Sequence, residues 1–130
     1  DGPLKNSLKT LIKNENVEET FTLLGARKNP YPYIKACDIY VQPSRYEGKS
    51  VTVREAQILC KPIVITDYPT AKSQIHDGMD GVIVPMDNEG CAKGIYEFII
   101  NTKLQNEIID YLRIHDYSNM AAIKKLYKLI

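Results

Sequence analysis

Glu47 and Glu55 stand with seven residues between them in the stretch YEGKSVTVREA. Gly48 beside the first acid permits close backbone approach or a positive φ. Ser50 is a good helix N-cap, and Val51, Glu55, Ile58 and Leu59 follow at helical spacing. The amides of Lys49, Ser50, Val51 and Thr52 are therefore expected at a helix N-terminus. Such an end attracts phosphate through unpaired N–H groups and the helix dipole. Lys49 and Arg45 would add positive charge. Glu55 shares a face with Ser50 and Val51, one turn inside the helix. A carboxylate so placed can accept two hydrogen bonds from a cis-diol, as ribose is often held. Glu47, on the loop, would face the space beyond the phosphates. The set suits a sugar nucleotide, with ribose on Glu55, diphosphate on the helix end and sugar near Glu47. The plainer reading makes Glu55 a surface residue offset by Arg54, and leaves Glu47, Lys49 and Arg45 to solvent.

The neighbouring elements decide where this loop points. Ile39–Val41 is a short apolar run that reads as a strand, and the loop 42–49 carries it into a helix from about Ser50 to Leu59. Lys61-Pro62 stops that helix, since the residue before proline disfavours the helical region. Ile63–Thr66 is a continuous β-branched run, the mark of a strand covered on both faces. Val82–Val84 is a further strand, ended by Pro85. Upstream, Leu4, Leu8, Leu11 and Ile12 form a helical stripe with Lys5, Lys9 and Lys13 beside it. Thr20–Leu24 reads as a strand stopped by Gly25. Asn29–Pro32 is a turn, followed by at most a short helix over 33–37. Ala71–His76 is one or two helical turns. Asn88 is the expected cap of a helix Glu89–Ile100, a second helix covers Asn101–Ile114, and Met120, Ile123, Leu126, Tyr127 and Ile130 are amphipathically spaced in the tail. Strands alternating with helices across short loops predict an α/β fold, a doubly wound parallel sheet with flanking helices.

Composition narrows the class. A chain of 130 residues is one domain, 1–130. Its net charge of +1 gives no electrostatic case for nucleic acid or an acidic membrane. Cys37, Cys60 and Cys91 are far apart, which disfavours zinc and a disulfide framework and suits buried free thiols in a reducing cytoplasm. No apolar run approaches the ~20 residues of a spanning helix. No Gly-x-Gly-x-x-Gly occurs, which weakens a dinucleotide oxidoreductase. His76 is expected at a helix end and His115 on the surface, neither of them catalytic, and the tyrosines are expected to pack. The opening Asp1-Gly2-Pro3 reads as a fragment cut just after a strand.

Pro43-Ser44, Glu47-Gly48, Glu55-Ala56 and Lys61-Pro62-Ile63-Val64 together resemble the signature region of retaining glycosyltransferases of family 4, the glycosyl transferases group 1. Asp1-Gly2-Pro3-Leu4 is similar to that family's Gly-x-Gly-Pro loop, Thr22–Gly25 to its strand end, and Asp77-Gly78 with Gly81–Val84 to its later Gly-rich stretch. The landmarks run in order over nearly the whole chain. The resemblance implies the C-terminal, donor-binding, Rossmann-like half of a two-domain GT-B fold, less its first strand. It implies that Glu55 binds the donor ribose and that Glu47 is the catalytic-site acid that contacts the transferred sugar. Gly48, Lys49, Ser50, Val51 and Thr52 would meet sugar hydroxyls and the leaving diphosphate, with Leu24 and Gly25 beside the nucleobase. It further implies a nucleoside-diphosphate sugar as donor and no metal or cofactor. The acceptor, a glycan or lipid-linked sugar in surface polysaccharide or glycolipid synthesis, would be met through a missing N-terminal domain, in the cytoplasm or at the inner membrane face. Basic residues that hold the diphosphate would lie upstream, so this chain alone is expected to be inactive. Lys49 and Ser50 replace an aromatic and a glycine common in the family. Cys60 stands where glycine is usual, so a different helix end is expected. The alternative is a Rossmann-like nucleotide-binding or scaffold module that has lost transfer.

Overall fold

The computed structural model describes residues 2–119. The amphipathic tail from Met120 lies outside the described residues. The chain divides into two compact units, Asp1–Pro30 and Tyr31–Ile130.

In the first unit, helix α1 spans Lys5–Asn14. Asn16 adopts φ 55° just beyond it, and its N–H and that of Val17 return to Lys13 O and Ile12 O. These bonds satisfy carbonyls that the helix leaves open. The leucine stripe is present, but Leu4, Leu8 and Leu11 are exposed. The expected strand at Thr20–Leu24 does not form. The N–H groups of Thr20 and Phe21 fold back onto Val17 O in a turn, and no described strand pairs with residues 22–24. A β-rich run without a partner for its N–H and C=O groups makes no ladder.

In the second unit, the elements are α2 (Tyr31–Ala36), β1 (Tyr40–Gln42), α3 (Val51–Ile58), β2 (Ile63–Thr66), β3 (Val82–Val84), α4 (Asn88–Ile100) and α5 (Thr102–Ile114). Helix α2 begins earlier than expected because Pro32 falls in its first turn, where no N–H is needed. Ala71–Ser73 is a short 3-10 turn. The strands form a parallel sheet in the order β1-β2-β3, with Tyr40 opposite Ile63 and Val64 opposite Val82.

Strand alternation sorts the core into layers. Ile63 and Ile65 face one side, where they meet Ile34 of α2, Val53 and Ala56 of α3, and Tyr68, Ala71 and Ile75. Val64 and Val84 face the other, against Phe98 of α4 and Ile108 and Leu112 of α5. Strand β2 is buried along its whole length, which is why its sequence is continuously β-branched, with no charged residue. Gly94 lets α4 come down on β3, since a Cβ there would run into the side chain of Val84.

Helix ends follow local chemistry, with corrections. Asp87, not Asn88, caps α4 by accepting Gly90 N–H at 2.8 Å. Asn101 caps α5 through Leu104 N–H. Helix α3 ends in the usual glycine geometry despite Cys60, which takes φ 53°. The N–H of Cys60 bonds Gln57 O and that of Lys61 bonds Ala56 O, both at 3.0 Å. This is the paired closure in which the residue past the helix turns left-handed, so the expected departure does not occur. Cys37, Cys60 and Cys91 are free and only half-buried. Tyr68 packs in the core, whereas Tyr31, Tyr46 and Tyr96 are exposed.

Candidate functional site

All three strands run parallel, so their carboxyl ends share one edge. The loop 43–50 leaves β1 at that edge and enters α3. Ser50 has extended backbone and accepts Val53 N–H on its hydroxyl. It is the N-cap that the sequence predicts. The N–H groups of Val51 and Thr52 have no intrahelical acceptor by position and project from the start of α3.

The loop is held from below by residues that sequence inspection passes over. Thr66, at the end of β2, donates its hydroxyl to Ser44 O. Thr70 donates to Glu47 O at 2.9 Å and Gly48 O at 2.7 Å. Gln74 is buried and clamps the loop with both ends of its amide. Its Oε1 accepts Ser50 N–H at 2.8 Å, and its Nε2 donates to Gly48 O at 3.1 Å. The amide of Ser50 is thus already engaged, unlike those of Val51 and Thr52. Gln42, buried at the end of β1, gathers three hydroxyls on its Oε1: Tyr40 at 2.7 Å and Ser50 and Thr52 at 3.1 Å each. Nothing in local sequence marks Gln74, which lies 26 residues from Gly48. Gln42 carries a faint signal, as a polar residue closing an apolar strand.

The acids sit on this frame. Glu47 is half-buried and accepts Ser44 Oγ at 2.8 Å. Glu55 is half-buried one turn inside α3, and its Oε1 accepts the phenol of Tyr31 at 3.1 Å. That bond, together with the carboxylate charge, raises the phenol's pKa. Lys49 is exposed in the loop. Leu24 and Gly25 belong to the first unit, where Gly25 takes φ 70° and both line an apolar groove with Leu4, Leu8, Phe21 and Leu23.

A cleft of about 300 Å³ opens along Val51, Arg54 and Gln57, one residue-step round α3 from Thr52 and Glu55, and also touches Lys49, Gln74 and Asn119. It holds neither acid. Behind it lies Asp80, wholly buried. Its carboxylate accepts His76 N–H at 2.7 Å, Tyr117 Oη at 2.7 Å and Gln57 Nε2 at 3.4 Å. His76 Nδ1 lies 3.2 Å away, and the Arg54 guanidinium sits 5.2 Å above the Tyr117 ring. This buried network ties α3 to the turn before β3. It meets the rule that buried polar groups are paired, and gives Gln57 and His76 structural work. Among the described residues, no group of three or more His, Cys, Asp or Glu is placed to hold a metal ion. No described helix is long and apolar enough to cross a membrane.

The arrangement therefore offers acidic acceptors on either side of a helix N-terminus, at the strand edge where α/β sheets bind ligands. The family model described as glycosyl transferases group 1 matches residues 1–115. The chain is 34% identical over 107 residues to N-acetylgalactosamine-N,N'-diacetylbacillosaminyl-diphospho-undecaprenol 4-alpha-N-acetylgalactosaminyltransferase of Campylobacter jejuni, covering 81% of this chain and 29% of that protein. It is 26% identical over 134 residues to poly(ribitol-phosphate) alpha-N-acetylglucosaminyltransferase of Staphylococcus aureus, covering 99% of this chain and 27% of that one. Among solved structures, TarM superposes with a TM-score of 0.78 at 26% identity, over 98% of this chain and 27% of TarM. The fold also matches Anabaena HepE in complex with UDP, with a TM-score of 0.77 at 21% identity over 95% of this chain and 36% of HepE. The chain thus spans less than a third of the length of these curated relatives.

Proposed function

Since the chain belongs to the glycosyl transferases group 1, we propose that its strand-edge loop and α3 form the donor side of a sugar-transfer site. The observation that carries this reading is the clamped junction. Glu47 and Glu55 flank a helix start whose loop is fixed by Thr70 and Gln74. In this reading Glu55 accepts the two ribose hydroxyls of a nucleoside-diphosphate sugar. The N–H groups of Val51 and Thr52, helped by Lys49 and the helix dipole, bind the diphosphate oxygens. As the sugar–phosphate bond breaks, negative charge grows on that diphosphate. Fixed N–H donors already aimed at it stabilise the transition state without reorganising. Glu47, oriented by Ser44, accepts hydrogen bonds from the sugar and sets its angle to the acceptor hydroxyl. The clamp matters because a loop that must order itself on binding would spend part of the interaction energy on doing so.

The finer parts of the proposal are retention at the sugar carbon, independence from metal, and a glycan or lipid-linked acceptor. Retention and metal independence rest on the resemblance of the Glu47–Glu55 region. The acceptor class rests on the relatives, one of which is named for a diphospho-undecaprenol substrate and another for poly(ribitol-phosphate). UDP in the HepE structure supports a nucleotide donor. Isothermal titration with uridine and guanosine diphosphates tests the site. One of them should bind, and Glu55→Ala should weaken it at least about tenfold, the scale of a lost hydrogen bond to a charged group. Binding indifferent to Glu55→Ala contradicts the proposal.

A further inference from the structure

We infer that Tyr31 is a positioning residue for the diol-binding carboxylate, holding Glu55 by a phenol hydrogen bond so that its remaining acceptor sites meet the ribose hydroxyls. The inference rests on the donor-site reading and extends it to a residue on another helix.

The geometry has several parts. Tyr31 is the first residue of α2, and Glu55 lies within α3. Ile34, one turn along α2, is buried in the core beside Val53 and Ala56 of α3. The phenol is therefore carried on a short helix whose position against α3 is set by packing. Its hydroxyl reaches Glu55 Oε1 at 3.1 Å. An ionised carboxylate has about four acceptor positions. The phenol takes one, on Oε1. Both positions on Oε2 and one on Oε1 are left, enough for a cis-diol to approach.

The effect would come through order, not contact with the nucleotide. A glutamate side chain has several rotatable bonds, and fixing it costs binding energy when the ligand must do so. A phenol already bonded to one oxygen removes part of that cost and prevents the carboxylate from swinging into solvent. Tyr31 is half-exposed, so losing its hydroxyl should leave the core intact.

The test compares ribo- and 2′,3′-dideoxynucleotides. The affinity of the wild-type protein for UDP and GDP, and for their 2′,3′-dideoxy analogues, is measured by calorimetry and repeated with Tyr31→Phe and Glu55→Gln. The expected result is that Tyr31→Phe weakens the ribonucleotide about fivefold, the scale of an ordinary net hydrogen bond, because the phenol acts on the carboxylate and not on the ligand. The dideoxy analogue, which has no diol to offer Glu55, should bind both proteins alike. A role confined to fold stability would change both ligands together. Equal losses, no change, or tighter ribonucleotide binding by Tyr31→Phe overturns the inference while leaving the donor site standing, provided Glu55→Gln still removes the preference for the diol. If neither ribonucleotide binds the wild type, or Glu55→Gln leaves the diol preference intact, the donor-site reading fails and takes this inference with it.

Discussion

Gln74 and Ser50 are joined across 24 residues of sequence by a 2.8 Å bond from the Ser50 amide to the Gln74 side chain. The other end of the same buried side chain holds Gly48 O. One residue thus sets both the bend of the loop and the start of α3. Gln74→Leu keeps the volume but leaves the Ser50 N–H without its partner, while Gly48 O keeps only the Thr70 hydroxyl. The expected cost is about 1–3 kcal/mol of stability, read from urea unfolding, with weaker nucleoside diphosphate binding in calorimetry. Unchanged affinity in a folded variant would show that the clamp does not shape the site.

Asp80 is the acceptor on which Gln57, His76 and Tyr117 converge. Asp80→Ala removes at once the acceptor shared by buried Gln57, half-buried Tyr117 and the His76 N–H, and should destabilise by about 2–3 kcal/mol. Tyr117→Phe removes one donor and should cost about 1–2 kcal/mol. Because the two residues share one bond, the double variant should lose less than the sum. Chemical unfolding of the singles and the double checks this.

Burial, and then the hydrogen bond to Asp80, hold the Tyr117 phenol above its ordinary pKa. The folded state therefore binds this proton more tightly than the unfolded chain, whose phenol titrates near ~10. The stabilisation is fully present below pH ~10 and is lost as pH rises beyond it. Unfolding free energy should fall above that pH in the wild type and fall less steeply in Tyr117→Phe. Tyr40 and Tyr68, also raised chiefly by burial, leave some slope in the variant.

Cys60 holds φ 53° in the position where glycine carries no penalty. Cys60→Gly should stabilise the protein by up to about 1 kcal/mol, reduced by the loss of the cysteine's partial packing against the core. Cys60→Val, which resists the left-handed region more strongly, should lower the melting temperature. The opposite order would mean that side-chain packing outweighs backbone strain here.

Features that depend on near neighbours could be read from the sequence. Ile63–Thr66 announced a strand buried on both faces because each residue's own type reports its surroundings. Ser50 announced a cap because its hydroxyl serves an amide three residues on. The pair Glu47 and Glu55 was legible as spacing. The supports were not. Gln74, Thr70 and Thr66 reach the loop from more than 20 residues away, and a glutamine or threonine in isolation carries no sign of its partner. The Tyr31–Glu55 bond is hidden for the same reason, since tyrosines read first as packing residues. Thr20–Leu24 misled because β propensity describes fitness for a sheet, not the presence of a neighbour. At α4 adjacent Asp87 and Asn88 are both good cap types, and it is Asp87, with extended backbone, whose carboxylate accepts Gly90 N–H.

If the proposed site is right, a nucleoside diphosphate sits on the start of α3, between Glu47 and Glu55. An amide-resolved NMR titration of the protein with UDP, and separately with GDP, probes that position directly. One of the two should shift most the Thr52 and Glu55 amides, which do not line the neighbouring cleft, and Glu55→Ala should abolish the pattern at the same concentration. Shifts centred instead on Gln57, Gln74 and Asn119, or a pattern unmoved by Glu55→Ala, would place the ligand in the neighbouring cleft and contradict the assignment.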